Sequence, residues 1–354
     1  SAFNDRLSAT FDWYRRDTKG MLAAGAELPA LVGASAPLQN IADMRTDGWE
    51  LSVGWRDHIG DWGYRLNLNV YDHKSKITKF NNLSGSIDNY YVGKALNSIY
   101  GYRADGYYSI DDFDMEKAKV GTWVLKEGVV SVSGYSVQPG DVKFKDLDGN
   151  GVIDAGGSTL ENPGDREIIG NSTSRYQFGG NLGVSWKGLD LNVLLQGVGK
   201  RDYWLGGAAL FPFGAAGADG VFWPLYYNQT DYWSAVSYDP QSPDYMVAKN
   251  PDAKLFRVYG QDGNAGSNAR VSDKYIQNAA YLRVKNVTLS YSFPSSLLRK
   301  VALDQLRLYV SVENLATFTS LPKGYDPESL SWSYPFYRDG RFQSGKLRLF
   351  RCER

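Results

Sequence analysis

The segment Trp62-Gly-Tyr-Arg-Leu-Asn-Leu-Asn-Val-Tyr71 places apolar or aromatic residues at its even positions and mostly polar residues or glycine at its odd positions. Side chains along a β-strand point alternately to the two faces of the sheet, so this period of two predicts a strand with one apolar face. A tilted strand that crosses a membrane needs roughly 9–11 residues, whereas strands of soluble sandwiches usually have about 5–6. The length of the alternation therefore favours a membrane-spanning strand.

The same alternation recurs in three other segments, at residues 176–186, 189–196 and 306–313. Extended to weaker stretches, the pattern predicts eight strands. They are placed near residues 4–16, 47–56, 62–74, 175–186, 188–200, 280–293, 305–316 and 337–350. The chain is therefore predicted to be mainly β, and its fold to be an antiparallel transmembrane β-barrel.

The connections between these predicted strands alternate between long and short. Residues 17–46, 75–174, 201–279 and 317–336 form the long ones, whereas residues 57–61, 187 and 294–304 form the short ones. Barrels of bacterial outer membranes have long extracellular loops and short periplasmic turns, so the alternation is expected of a chain threaded through that membrane. A soluble sandwich has no reason to follow it. The predicted location is the bacterial outer membrane, with its lipid bilayer as a partner.

Aromatic residues stand near the ends of the predicted strands, where the rings of membrane barrels meet the lipid headgroups. This predicted girdle set comprises Trp49, Trp55, Trp62, Tyr176, Trp186, Tyr291 and Phe293. The apolar positions predicted to face lipid are Leu66, Leu68, Val70, Leu191, Val193, Leu308 and Val310. The polar positions predicted to face the lumen are Asn67, Asn69, Asn192 and Ser311.

The composition argues against several other classes of protein. Lys and Arg number 39 and so do Asp and Glu, so no basic surplus points to a nucleic-acid partner. One Cys and two His leave no cysteine-based metal site and little scope for histidine ligation. Metalloprotease, nucleophile-elbow and phosphate-loop motifs are all absent from the sequence, so an enzyme is not expected. The loosely apolar residues 21–38 contain two prolines and a glutamate and are predicted to be a loop.

One motif in the longest connection resembles a calcium-binding loop. Residues 146–154 match the first nine positions of an EF-hand-type loop. The predicted ligands are Asp146, Asp148, Asn150, the carbonyl of Val152, and Asp154 directly or through water. The twelfth position is Gly157, so the closing Glu is missing and only Glu161 or Asp165 could replace it. A solvated Asp/Asn/Gly turn explains the motif equally well; calcium is the only cofactor that the sequence suggests.

Two long connections also carry dense aromatic residues. Such rings suit stacking on sugars or contacts with peptide side chains. The candidate substrate-binding residues are Tyr107, Tyr108, Trp223, Tyr226, Tyr227 and Trp233. The alternative, favoured for any single ring, is that large extracellular connections need small cores of their own, which Tyr and Trp supply.

Seven segments of the chain have distinctive sequences. The longest is Asp141-Val-Lys-Phe-Lys-Asp-Leu-Asp-Gly-Asn-Gly-Val-Ile-Asp154, followed by Asp165-Arg-Glu-Ile-Ile-Gly-Asn171 and Arg175-Tyr-Gln-Phe-Gly179. The others are Leu195-Gln-Gly-Val-Gly-Lys-Arg-Asp-Tyr203, Tyr281-Leu-Arg-Val-Lys-Asn-Val-Thr-Leu-Ser-Tyr291, Leu308-Tyr-Val-Ser-Val-Glu-Asn314 and Gly324-Tyr-Asp-Pro-Glu328. These segments resemble the C-terminal half of the SusC/RagA-type TonB-dependent outer-membrane transporters. They occur in that family's order and cover the chain nearly to Arg338.

The resemblance implies a plugged barrel of roughly 22 strands, of which residues 1–354 would supply the last eight or so and no plug domain. It also implies TonB-dependent import of a large nutrient, an oligosaccharide or a peptide. The implied partners are a SusD-like surface lipoprotein and the TonB energy transducer, which would act through the missing N-terminal part. Two alternatives stay open at this point: a surface-exposed β-protein that binds glycans without transport, and a passive porin.

The C-terminal residues depart from the pattern of that family, whose last strand normally ends in an aromatic residue at the chain terminus. Here Arg351-Cys-Glu-Arg354 follows the last aromatic residue, Phe350, and the preceding residues 339–350 are rich in charge. We therefore expect that the sequence after about Arg338 is altered, by a reading-frame slip or recombination. A barrel that carries this tail is expected to assemble poorly.

Overall fold

The computed structural model describes residues 2–24, 37–206, 229–259, 264–299, 303–330 and 347–349. Sixteen strands occur in this part of the chain. They are β1 (Leu7–Ala24), β2 (Leu38–Ile59), β3 (Trp62–Lys79), β4 (Ser98–Tyr102), β5 (Ala104–Tyr107), β6 (Ser131–Val132), β7 (Val142–Phe144), β8 (Val152–Ile153), β9 (Arg166–Asn171), β10 (Arg175–Trp186), β11 (Leu189–Lys200), β12 (Asp202–Trp204), β13 (Ile276–Asn278), β14 (Tyr281–Ser292), β15 (Arg307–Thr319) and β16 (Leu347–Leu349).

Helices are few and short in the described residues. The two α-helices are α1 (Met115–Lys119) and α2 (Ser295–Leu298), and the 3-10 helices are Ile110–Asp112, Asn264–Ser267 and Asp273–Tyr275. Nowhere in the described ranges is a helix long and apolar enough to cross a membrane.

Eight strands form one antiparallel sheet in the order β1-β2-β3-β10-β11-β14-β15-β16. Each strand pairs with the next one of the set along the chain, and the long connections are inserted between them. This up-and-down order confirms the predicted mainly β, antiparallel fold. Within the described residues the sheet is open, with β1 and β16 at its edges.

The register of the sheet places the predicted apolar set on one face. Leu66 lies opposite Leu182, and Leu182 lies opposite Val193. Leu191 lies opposite Leu289, which in turn lies opposite Val310. Because neighbours across a sheet point to the same side, the apolar residues form continuous rows. The expectation that the set shares one face is confirmed.

The opposite face is polar and is held by side-chain hydrogen bonds across the strands. Asn192 Nδ2 donates to Asn181 Oδ1 over 2.9 Å. Arg65 pairs with Asp190, with Nη1 2.8 Å from the carboxylate. These contacts join β3, β10 and β11, so the predicted lumen-facing asparagines belong to a continuous polar surface.

Aromatic side chains mark two levels of the apolar face. Near the short turns, the rings of Trp62 and Trp186 stack with centroids 5.5 Å apart. At the other level, Trp49 of β2 lies opposite Trp13 of β1. On its other side Trp49 lies opposite Asp72 of β3. The stretch of β3 from residue 62 to residue 72 spans roughly 33 Å along the strand. Tilted by about 40°, it covers about 25 Å, which is the height of the apolar band of outer-membrane barrels.

Trp49 and Trp55, which were predicted to stand at the two ends of the second strand, both lie inside β2. β2 continues to Ile59, and Trp55 lies opposite Leu66 in the interior of the sheet. The prediction that Trp55 ends a strand was therefore wrong, because the charged residues that follow it continue the ladder.

The first two strands are much longer than the sequence pattern predicts. β1 continues to Ala24 and β2 begins at Leu38, so most of the predicted loop at 17–46 is strand. Cross-strand ion pairs replace apolar alternation in this extension. Arg15 Nε lies 2.6 Å from Asp47, and Arg45 Nε lies 2.8 Å from Asp17. The period-two signal of hydrophobicity therefore ends before the strands do.

The other boundaries lie close to those predicted. β10 and β11 are joined by Lys187 and Gly188, both with positive φ (44° and 90°), as a type I′ hairpin turn requires. Of the predicted strand at 337–350, residues 347–349 pair with β15 and the remainder lies outside the described residues. The expectation about an altered tail also concerns residues outside that range.

The well-packed core of the molecule lies outside the sheet. We call the described parts of residues 80–174 and 201–280 the cap. Two clusters of buried residues hold the cap together, one around Phe144 and Phe256 and the other around Trp233 and Tyr245. Because both clusters draw on the two long connections, these connections fold as one packed unit above the sheet.

Candidate functional site

The calcium-like loop folds as the motif predicts. Gly151 has φ +82° and makes the turn, and its backbone N–H donates to Asp146 Oδ2 over 2.8 Å. The backbone N–H of Gly149 donates to the other oxygen of the same carboxylate over 2.7 Å. These hydrogen bonds hold the pKa of Asp146 below its usual value, and the bond from the amide of Gly151 has the largest effect. The loop is therefore arranged around an ionised carboxylate.

Asp165 supplies the carboxylate that the twelfth position of the motif lacks. Carboxylate oxygens of Asp146, Asp148 and Asp165 all lie within 4.8 Å of one another. Asp165 is fully buried and accepts hydrogen bonds from the amides of Leu147 (2.7 Å) and Asp154 (2.8 Å). Of the two replacements that the sequence allows, the structure brings Asp165 to the cluster.

The remaining predicted ligands lie around the same turn. Asn150 Oδ1 accepts from the amide of Val152 over 2.7 Å, and Asp154 Oδ1 accepts from the amide of Gly156 over 2.6 Å. Oxygen-rich loops of this kind suit calcium. They are also stable as a hydrogen-bonded turn, so the geometry fits both interpretations, and calcium binding stays a prediction.

Two of the predicted substrate-binding rings are buried in the cap. Tyr108 is fully buried and its hydroxyl donates to the Val130 carbonyl over 2.6 Å. Trp233 is 2% exposed and packs against Gly140. Both rings fill cores of the cap in this structure, which favours the alternative that such aromatics stabilise the connections.

Tyr107 is only partly buried, and its hydroxyl donates to the Ala253 carbonyl over 2.9 Å. Lys274 Nζ lies 4.0 Å from the centre of its ring. Burial raises the pKa of the Tyr107 hydroxyl and lowers the pKa of the Lys274 ammonium. The other candidates, Trp223, Tyr226 and Tyr227, lie outside the described residues.

The cap also contains a half-open cavity that the sequence analysis did not identify. Its volume is about 340 Å³, and its lining includes Tyr100 and Tyr102 from β4 together with Lys94, Arg166 and Arg270. The two tyrosines belong to an aromatic cluster that is visible in the sequence. The three cations lie far apart along the chain, so no spacing rule could have grouped them.

A family model described as TonB dependent receptor-like, beta-barrel, matches residues 2–193. The chain therefore belongs to the family of TonB-dependent receptors, which are proteins of the bacterial outer membrane. This family consists of receptors and transporters and is not typically enzymatic.

Curated relatives carry the same family name, and a solved structure has a similar fold. The chain is 29% identical to TonB-dependent receptor P3 of Formosa agariphila, over 92% of the chain and 29% of that receptor. It is 24% identical to TonB-dependent receptor SusC of Bacteroides thetaiotaomicron, over 92% of the chain and 28% of the relative. It matches a chain of the RagAB peptide transporter with a TM-score of 0.60 and 22% identity, over 92% of this chain and 31% of the other. The chain thus spans less than a third of the length of each relative.

Proposed function

We propose that this chain forms part of the wall and the extracellular cap of a TonB-dependent importer of large nutrients. The observation that carries the proposal is the two-faced sheet: one face is apolar between two aromatic levels, and the other is a hydrogen-bonded polar surface. In an outer-membrane barrel the apolar face contacts lipid and the polar face lines the lumen. The cap covers the end of the sheet that carries the long connections.

The nutrient is, on this proposal, an oligosaccharide or a peptide too large for a porin. A SusD-like lipoprotein would capture it at the cell surface, and TonB would open the path by acting on a plug that other parts of the full-length receptor supply. These partners are implied by the family to which the chain belongs. The predicted calcium loop has a secondary part in the proposal, as a weak site that orders one segment of the cap.

Uptake by whole cells tests this function. A strain that lacks the full-length gene is complemented with the intact gene, and import of labelled starch oligosaccharides, uronic-acid oligosaccharides and a tryptic peptide mixture is followed. We expect import of at least one of these probes, and its loss when tonB is deleted or the proton gradient is collapsed. Uptake that persists without TonB would indicate a passive porin instead. Surface binding without uptake in any strain would favour a glycan-binding protein that does not transport.

A further inference from the structure

The cavity in the cap collects positive charge. Three cations line it, Lys94, Arg166 and Arg270, whereas Asp88 is the one carboxylate of its lining and is itself exposed. None of the three cations forms an ion pair with a carboxylate within the described part of the chain. The lining of the cavity therefore carries a surplus of positive charge.

Two other cations in the same region are neutralised by carboxylates, whereas Lys274 and Arg201 are also without an ion pair among the described residues. Arg103 pairs with both Glu167 and Asp273. Lys143 lies 2.9 Å from Asp112. A cation removed from water loses solvation free energy, which a counter-charge or hydrogen bonds can offset. Lys94, Arg166 and Arg270 donate hydrogen bonds to carbonyl or hydroxyl oxygens but have no carboxylate partner within the described residues.

Lys94 is held in place by the backbone. Its ammonium donates to the carbonyls of Ile87 (2.8 Å), Asp88 (3.2 Å) and Asn89 (2.8 Å). Burial lowers the pKa of this ammonium, so the protonated form carries a free-energy penalty that a bound anion would reduce. Lys94 supplies a fixed positive charge beside the rings of Tyr91 and Tyr100.

The two arginines keep donors unused. Arg166 donates through Nη2 to the Ala155 carbonyl and to Ser158 Oγ, and its Nη1 has no partner among the described residues. Arg270 donates through Nη2 to the Ser133 carbonyl over 3.2 Å, and none of its other nitrogens is hydrogen-bonded within the described chain. Guanidinium groups with free N–H groups can contact two oxygens of a carboxylate or a sulfate at once.

The rings of the cavity are also fixed. The Tyr100 hydroxyl lies 2.5 Å from the Tyr91 hydroxyl, and the Arg270 guanidinium stacks 5.1 Å from the centre of the Tyr102 ring. Gly101 lies between these two tyrosines, and a Cβ at that position would come within 2.5 Å of the Val271 carbonyl oxygen. The strand therefore packs closely against residue 271, which keeps Arg270 beside the rings, while the pairing of Tyr102 with Arg166 between β4 and β9 keeps the other arginine there.

We propose that this cavity binds a carboxylate or sulfate group of the imported nutrient. The inference rests on the proposed import function and adds to it a class of substrate, one that carries negative charge. The volume of about 340 Å³ is at the lower end of the range of small-molecule pockets and suits one charged sugar ring or one acidic side chain. The arginines bind the anion, and the tyrosine rings pack against the apolar part of the group that carries it.

Calorimetry on the full-length receptor in detergent tests the proposal with defined probes. Oligogalacturonate carries a carboxylate on each sugar, β-1,4-galactan is its neutral counterpart, and a glutamate-rich peptide offers the same anion from a different source. We expect one of the two anionic probes to bind and the neutral glycan to bind at least about tenfold more weakly. Which anionic probe binds identifies the source of the carboxylate.

Substitutions locate the binding site. Arg270→Gln and Arg166→Gln are each expected to weaken binding of the anionic probe about tenfold or more, and Arg270→Lys less than Arg270→Gln. Lys145→Gln is the matched control, because Lys145 is an exposed cation of the same connection outside the cavity, and it should leave the affinity within about twofold. Unchanged circular dichroism spectra verify that each variant is folded.

Equal affinity for the anionic and the neutral glycan would overturn the proposal. So would an affinity for the anionic probe that neither arginine substitution changes. Salt dependence of the unsubstituted receptor gives a test free of folding artefacts, since binding that a tenfold rise in salt leaves unchanged also contradicts an anion site. If TonB-dependent uptake persists while no anionic probe binds, this inference fails and the proposed import function stands.

Discussion

The buried carboxylate of Asp141, in residues 80–174, forms hydrogen bonds with side chains of the other long connection, residues 201–280. It accepts hydrogen bonds from the Tyr259 hydroxyl, from Asn268 Nδ2 over 2.9 Å and from the backbone N–H of Gln138 over 2.8 Å. Burial raises the pKa of Asp141 to about 6 in spite of these three donors. The Asp141 carboxyl therefore loses its proton near pH 6 in the folded cap, and this ionisation changes the stability of the cap.

The sign of the pH effect follows from proton linkage. The pKa in the folded cap, about 6, lies above the ordinary value of 3.8, so the folded state binds the proton more tightly than the unfolded state. The contribution of Asp141 to the free energy of opening the cap is therefore largest below about pH 4. This contribution falls by about 3 kcal/mol as the pH rises to and beyond 6.

Asp141→Asn should abolish this pH dependence. Hydrogen exchange at the backbone amide of Val142 is the measurement, because that amide donates to Asn268 in the same cluster. In the unsubstituted receptor, protection should decrease from pH 4 to pH 7 after correction for intrinsic exchange. Asp105→Asn, at an exposed position of the same connection, should leave the decrease intact. Protection that is independent of pH in the unsubstituted receptor would contradict the account.

Residue types alone could not separate a ring that fills a core from a ring that meets a ligand. Tyr108 and Trp233 each stand between a tyrosine and a serine in a long connection, and the packing of one connection on another buries them. The cavity cations show the converse case. Arg166 and Arg270 have no local signature, because their environment is created by contacts between distant segments.

At the scale of the element, the sequence predicts a strand where hydrophobic alternation continues and misses it where charge pairs take over. β10 and β11 alternate to their ends and were placed almost to the residue. β1 and β2 continue past their apolar stretch on cross-strand ion pairs, which do not contribute to a hydrophobic period. Tertiary contacts, not local pattern, determine the ends of these long strands.

The calcium-like loop is the second element with a defined prediction. Three carboxylates face one another, but their oxygens already accept backbone N–H bonds, and no bidentate Glu closes the loop. We expect weak calcium binding that orders the loop, far from the affinity of a buffer site. Calorimetry on the full-length receptor should give a calcium response that Asp146→Ala and Asp148→Ala each remove. An identical response in the receptor and both variants would eliminate the metal interpretation.

At the scale of the whole molecule, the described sheet has two unpaired edges, β1 and β16. Open edges in lipid would leave backbone N–H and C=O groups without partners, so only a closed barrel is stable there. We expect the remaining strands of a longer receptor to pair with these edges, and we expect that the eight-stranded arc does not insert alone. The described cap buries its apolar side chains within this chain. The sheet, in contrast, needs further strands of the barrel to pair with the backbone groups at its two edges.

The central claim is that the apolar face of the sheet contacts lipid and the polar face lines the lumen. Adjacent residues of β3 test it most directly, because Asn67 and Leu68 point to opposite faces of the same strand. Single cysteines at these positions are placed in the full-length receptor, with Cys352 replaced by Ser, and are labelled in intact outer membranes. We expect the cysteine at 67 to react with a water-soluble maleimide and the cysteine at 68 with a lipid-soluble one. The reverse pattern, or equal reaction of both with the water-soluble reagent, would show that the two faces are assigned wrongly.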